Sequence, residues 1–182
     1  DVPRAFRFAD ALRPGAAALV AGLQAQGKRV MLLSGDTGDA VSALAGTLGI
    51  ADWRAGVLPE EKAAAVAALA AGGRKVLMVG DGLNDTAALA GAHVSVSPAS
   101  ALDAARTASD IVLLGSDLSP IADALRIAVQ ARRRIKQNFA LSLAYNLVAV
   151  PVALVGLATP LIAALAMSTS SITVSLNALR LK

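Results

Sequence analysis

The chain has 182 residues, of which 55% are hydrophobic and only 16% charged, with a mean hydropathy of +0.61, a balance too apolar for an ordinary soluble domain. Before residue 132, eleven Lys and Arg stand against all thirteen acids, a net of −2, whereas residues 132–182 carry six Lys and Arg and no acid, a net of +6. The basic pI near 10 is therefore no nucleic-acid signature, since the excess flanks an apolar stretch, and the lack of cysteine excludes disulfides and thiolate metal sites within the chain.

No secretory leader is visible, and a chain opening at Asp1 is expected to be a fragment of a longer protein. After an irregular start through Pro14, Gly15 to Gln26 reads as an Ala/Leu helix stopped by Gly27. Residues 29–33 read as a buried strand ending in Ser34-Gly35-Asp36-Thr37-Gly38-Asp39, followed by a helix over 40–48 and a short element at Trp53-Arg54-Ala55. Leu58-Pro59-Glu60-Glu61-Lys62 opens a helix to about Ala71, with Pro in the first turn and acids where the helix dipole favours them. Lys75 to Val79 is a second buried strand, and it ends abruptly in Gly80-Asp81-Gly82-Leu83-Asn84-Asp85. A helix from Asn84 to Ala90 and strands at 93–96 and 110–114 complete an alternation that predicts an α/β domain with a parallel sheet and right-handed crossovers over residues 1–118.

From Ser119 the pattern changes. Residues 119–137 read as a basic linker helix, and between Asn138 and Leu179 the only ionisable side chain is Tyr145. About 20 apolar residues suffice to span a bilayer, and Gly156-Leu157-Ala158-Thr159-Pro160 divides this run near its middle. The expectation is a hairpin of two transmembrane helices, at about 138–157 and 161–179, within a 138–182 segment. Arg132, Arg133, Arg134 and Lys136 before it and Arg180 and Lys182 after it put both ends on the cytoplasmic side.

Open α/β sheets bind ligands at the carboxyl ends of their strands, and three clusters fall there: Ser34-Gly35-Asp36, Lys62 at a helix start, and Asp81 with Asp85. A hydroxyl and an ammonium can hold phosphoryl oxygens while two carboxylates hold Mg²⁺, the division of labour that phosphoryl transfer needs. Glycines beside the carboxylates let a phosphate come close. The lone His93 has no neighbouring ligand types and receives no role.

These clusters resemble the later motifs of the haloacid-dehalogenase superfamily, and their wording, with Ala87-Ala88-Leu89 after Gly80–Asp85, resembles the phosphorylation domain of P-type ATPases from about Phe8 onward. The resemblance implies a Rossmann-like fold and a catalytic set of Ser34, Lys62, Asp81 and Asp85, with Asp81 and Asp85 on Mg²⁺ and Ser34 and Lys62 on an aspartyl phosphate. Asp36 would lie near bound ATP, with Gly35, Gly80, Gly82 and Asn84 completing the cofactor-facing loops. The family's DKTGT nucleophile, its nucleotide-binding domain and its TGE loop are not in the sequence, and neither Asp1 nor Asp10 has the nucleophile's context. The chain alone is therefore not expected to hydrolyse ATP, and its first partner is the rest of its own polypeptide. A membrane-tethered Mg²⁺-dependent phosphatase, or a regulatory module with a vestigial site, remains open.

The hairpin carries few polar groups, and such groups at membrane depth usually face a pathway or a partner helix. Met167 and Ser171 are four apart and share a helix face. A thioether favours Cu⁺, and the absence of carboxylates argues against a hard divalent ion. The pattern resembles copper-transporting heavy-metal P-type ATPases, in which Tyr145, Asn146, Met167 and Ser171 match residues proposed to hold Cu⁺. Relatives that move zinc or cadmium typically carry a charged pair in these spans. The resemblance further implies a Cys-Pro-Cys helix elsewhere in the polypeptide, residence in a bacterial plasma membrane, the lipid bilayer as a partner and a copper chaperone as a candidate one, with no nucleic acid.

Overall fold

The computed structural model describes residues 12–180; Asp1, Phe8, Asp10 and Lys182 lie outside the described residues. The chain forms two compact units, Asp1–Ala122 and Asp123–Lys182. The first alternates α1 (Ala16–Ala25), β1 (Met31–Leu33), α2 (Gly38–Leu48), β2 (Asp52–Arg54), α3 (Pro59–Ala71) and β3 (Leu77–Val79). A 3-10 turn over Leu83–Asp85 then leads through α4 (Thr86–Gly91), β4 (Val94–Pro98), α5 (Asp103–Thr107) and β5 (Ile111–Leu113).

Among the described residues every strand pair is parallel, as the alternation predicts. The strands nevertheless form two sheets: β1 pairs with β2, and β3, β4 and β5 follow in that order. Among the described residues the strands that lead into Ser34 and into Asp81 are both edge strands, so each has one row of backbone donors and acceptors without a ladder partner there. Each sheet has its own small core. Val20, Ala45 and Ile50 pack with Val30, Leu32 and Leu48 on one side, and Leu89, Ala101 and Ala105 pack with Met78 and Ala108 on the other.

Local chemistry fixes the elements that carry the site. Glu61 reaches back to accept the Leu58 N–H at 2.8 Å, and Pro59 occupies the first helical turn, so α3 starts at a defined residue. Before β5, the Asp110 carboxylate accepts the backbone N–H and hydroxyl of Ser95 at 2.8 and 2.9 Å, and the Ser95 hydroxyl in turn accepts the Asp110 N–H at 3.1 Å. These bonds hold the Asp110 carboxyl below its ordinary range. Asp117 is lowered likewise by the N–H and hydroxyl of Ser119, where the next helix begins. Gly15 sits beside that point with φ +77°, and a Cβ there would drive into the Ser119 hydroxyl and the Asp117 carboxylate. Only glycine fits both the left-handed backbone and the space.

Two long helices follow, α6 (Ser119–Leu154) and α7 (Pro160–Ala178). α6 runs unbroken for 36 residues, so the basic segment and the apolar segment are one helix, where the sequence reading divides them at 137. Nothing between Pro120 and Pro151 interrupts it, because Lys and Arg are good helix formers. It ends at Leu154, three residues before the expected 157, where Val155, Gly156 and Leu157 donate back to Pro151, Ala153 and Val152. α7 starts at Pro160 with the Thr159 hydroxyl accepting the Ile162 N–H at 3.3 Å. Both helices are long and apolar enough to cross a membrane.

Candidate functional site

The loop after β3 is shaped by one close approach. A Cβ on Gly80 would lie 2.9 Å from the Asp85 Cβ, 3.0 Å from its Oδ2 and 3.1 Å from its Cγ. The bare backbone of Gly80 therefore lets the 3-10 turn fold the Asp85 side chain back over the strand end. The Asp85 N–H closes the turn on the Gly82 carbonyl at 3.1 Å. Asn84 stands on the same turn, and Gly80, Asp81 and Gly82 form the loop before it.

Lys62, in the first turn of α3, donates from Nζ to Asp85 Oδ1 at 2.8 Å, and the two side chains are only 12% and 13% exposed. This pair brings together two residues 23 apart in sequence that the motif reading assigns to one site. The other carboxylate has a partner that the sequence reading missed. Arg13 Nη2 donates to Asp81 Oδ2 at 2.6 Å, with its Nη1 3.5 Å from the Ser100 hydroxyl. Local pattern gives no sign of this bond, because Arg13 and Asp81 are 68 residues apart. Arg13-Pro14-Gly15 reads only as the end of a loop.

Ser34 lies in the loop after β1. Its hydroxyl donates to Asp36 Oδ2 at 2.9 Å and accepts the Asp36 N–H at 3.2 Å. Its carbonyl accepts the Val57 N–H at 2.9 Å, while the Asp36 carbonyl accepts that of Gly56 at 2.9 Å. The Ser34-Gly35-Asp36 loop is thus tied to the segment that leads into α3 and to Lys62. Among the described residues no hydrogen bond joins Ser34 to Lys62, Asp81 or Asp85.

The four charged groups, Arg13, Lys62, Asp81 and Asp85, balance one another. A dianionic phosphoryl group arriving with a divalent cation adds no net charge to this set, and the two cations can turn from carboxylate to phosphoryl oxygen. Among the described residues no cluster of three or more His, Cys, Asp or Glu is present. Two carboxylates beside close-approach glycines fit Mg²⁺, which keeps several waters and is commonly held by one or two carboxylates and a substrate phosphate.

In the second unit, Tyr145 is half-buried on α6 and Asn146 exposed, while on α7 Met167 is 67% exposed and Ser171 exposed. No hydrogen bond joins these four among the described residues. Their depth follows from an anchor at the other end of the pair, where Asn177 Nδ2 donates to Asn138 Oδ1 at 2.7 Å. At about 1.5 Å per residue, Tyr145 and Asn146 stand about 10–12 Å from that anchor along α6, and Ser171 and Met167 about 9 and 15 Å along α7. Counted along each helix from that anchor, the four positions differ by about 6 Å of rise, a relation that sequence spacing within either helix does not show.

The haloacid dehalogenase-like hydrolase family matches over residues 1–93. The chain is 48% identical over 177 residues to "Nitrogen fixation protein FixI" of Rhizobium meliloti (strain 1021), covering 97% of this chain and 23% of that one. It is 42% identical over 174 residues to "Copper-exporting P-type ATPase" of Bacillus subtilis (strain 168), covering 96% of this chain and 22% of that protein. The chain thus spans less than a quarter of the length of these curated relatives. Among solved structures, a zinc-transporting PIB-type ATPase in the E2.Pi state superposes with a TM-score of 0.88 at 33% identity, over 95% of this chain and 28% of the other. That match takes in the α/β unit and the pair of apolar helices alike. The chain therefore belongs to the haloacid dehalogenase-like hydrolases, and its homologues include cation-transporting P-type ATPases.

Proposed function

We propose that this chain supplies part of the phosphoryl-transfer centre and part of the cation path of a P-type ATPase that exports Cu⁺ through an aspartyl-phosphate intermediate. The observation that carries the reading is the part-buried Lys62–Asp85 pair, 2.8 Å long, at the strand end that also bears Asp81. A part-buried cation held by a carboxylate is poised to exchange that partner for a phosphoryl oxygen. When bound, Mg²⁺ would neutralise charge developing on the transferred group; Asp81 and Asp85 would hold it. Lys62 and the Ser34 hydroxyl would take phosphoryl oxygens. Asp36, Gly35, Gly82 and Asn84 would line the side from which ATP approaches, and Gly80 keeps Asp85 in place. The phosphorylated aspartate would come from a part of the polypeptide beyond these 182 residues, since they contain no DKTGT.

The cargo assignment rests on the chemistry of the second unit. From residue 124 to 182 the sequence has no acid, so a divalent cation would find no compensating charge here, whereas the Met167 thioether suits a soft monovalent one. Tyr145, Asn146 and Ser171, at a similar count of helical turns from the Asn138–Asn177 bond, would complete a weak, exchangeable site. The Bacillus subtilis relative carries the name of a copper exporter at higher identity than the solved structure titled as zinc-transporting. The helices would lie in the bacterial plasma membrane with α6 entering from the cytoplasm, where a copper chaperone is a candidate donor.

Metal-stimulated ATP hydrolysis by the full-length protein tests this reading. Cu⁺ should stimulate and Met167→Ala should abolish most of that stimulation. Stimulation by Zn²⁺ alone would overturn the cargo, and an unaffected Met167→Ala protein would remove that residue from the site.

A further inference from the structure

We propose that the middle of α6 carries a binding site for the headgroup of an acidic phospholipid, built by Arg132, Arg133, Lys136 and Gln137. The inference rests on the reading above that the apolar part of α6 lies in a membrane, and it adds a ligand that this reading does not need. A shallow cavity of about 590 Å³ is lined by Val129, Arg132, Arg133, Lys136, Gln137 and Ala140. These positions recur at intervals of three and four, so they form one face of the helix.

The chemistry of that face is one-sided. Among the described residues Arg132, Arg133 and Lys136 make no ion pair. The nearest acid along the helix, Asp123, is engaged by Arg126 at 3.0 Å, and no acid follows it. Arg134 is turned to other work, donating to Gln137 Oε1 at 3.0 Å and reaching the Arg180 carbonyl at 3.5 Å. Asn177 Nδ2 lies 3.5 Å from the same Gln137 oxygen. With its acceptor thus occupied, Gln137 keeps its amide N–H groups as its free function. The face therefore offers two guanidiniums, one ammonium and one amide donor, with no carboxylate paired to them among the described residues. That set suits a phosphate diester, which accepts through several oxygens.

What selects a lipid over a free anion is the continuation of the same face. Leu143 and Leu147 follow Lys136 and Ala140 by seven residues each and are 71% and 75% exposed. The cationic turn thus opens directly onto an apolar ridge, along which an acyl chain can lie while its phosphate stays at the basic residues. Positive residues at a membrane boundary attract anionic headgroups by about a factor of five each. Three on one face, with a donor amide fixed beside them, make a local site out of what would otherwise be a diffuse attraction.

The test uses the full-length protein in nanodiscs of phosphatidylcholine, with or without phosphatidylglycerol or diphosphatidylglycerol, and native mass spectrometry to count retained lipids. Wild type should retain an acidic lipid, and the combined Arg132→Gln, Arg133→Gln, Lys136→Gln variant should bind it about 100-fold more weakly. A control that neutralises Arg74 and Lys75, also to Gln, should retain it fully. Retention that the α6 triple variant leaves unchanged, or equal loss in the control, would overturn the site. Competition by inorganic phosphate alone would overturn the lipid assignment. Resistance to alkaline extraction tests the membrane reading separately: a protein that stays in the membrane without cation-dependent lipid retention refutes only the lipid site.

Discussion

The substitution Gly80→Ala probes the geometry of the phosphoryl centre without removing a charged group. A methyl group at Gly80 would stand 2.9–3.1 Å from three atoms of Asp85, well inside the 3.5–4.0 Å of ordinary carbon contacts. Asp85 cannot move aside freely, because it is nearly buried and its Oδ1 is held by Lys62. Either the strand end shifts or the Lys62–Asp85 bond stretches, and overpacking of this kind costs about 1–3 kcal/mol. Trp53, the only tryptophan of these 182 residues, lies on β2 in the α/β unit, where its fluorescence reports unfolding of that unit. With a urea slope of about 1–3 kcal/mol per molar, the midpoint should fall by about 1 M. Mg²⁺ affinity, read by isothermal titration of the full-length protein, should weaken in parallel, because the shifted group is a proposed ligand. Stability and Mg²⁺ affinity both equal to wild type would refute the close approach and the role that it gives Gly80.

Three further outcomes follow from the same geometry. A double-mutant cycle of Lys62→Ala and Asp85→Ala, by urea unfolding, should show strong coupling, since removing Lys62 alone strands a buried carboxylate at a cost of about 3–5 kcal/mol; additive effects would contradict the part-buried pair. Arg13→Ala should free Asp81 and tighten Mg²⁺ binding, and unchanged affinity would mean that the Arg13–Asp81 bond does not compete with the ion. The Asp110 carboxyl is lowered by the bonds from Ser95, so it binds a proton less readily folded than unfolded. Its stabilising contribution is therefore complete above the ordinary value of 3.8 and is lost as the pH falls below it, through the lowered folded value. NMR titration should find its midpoint under 3.8 in wild type and closer to 3.8 in Ser95→Ala; equal midpoints would contradict the stated cause.

Much of the α/β unit was legible because its signals are local. Strand ends at Ser34 and Gly80 follow from short apolar runs that stop in glycine and aspartate, and the start of α3 follows from Pro59 and Glu61. The five-residue helix α5 was not visible, since Asp103–Thr107 is too short for a helical period to emerge. The division into two sheets was also hidden, because pairing between strands is not written in either strand alone. At the site, residue type and spacing nominated Lys62, Asp81 and Asp85, but Arg13 needed the fold, its partner being remote in sequence. In the second unit the break at Gly156–Pro160 was readable from composition. The continuity of α6 was obscured by reading a change of polarity as a change of element, and the Arg134–Gln137–Asn138–Asn177 hydrogen bonds depend on the two helices meeting.

The central claim is that Asp81 and its neighbours serve a phosphoryl transfer coupled to a cation path. It is tested most directly by trapping labelled phosphate from ATP on the full-length protein. Wild type should form a Cu⁺-dependent, acid-stable and hydroxylamine-labile phosphoprotein, and Asp81→Asn should lose nearly all of it. Label undiminished in Asp81→Asn, or hydrolysis of a soluble phosphomonoester with no trapped label, would contradict the account.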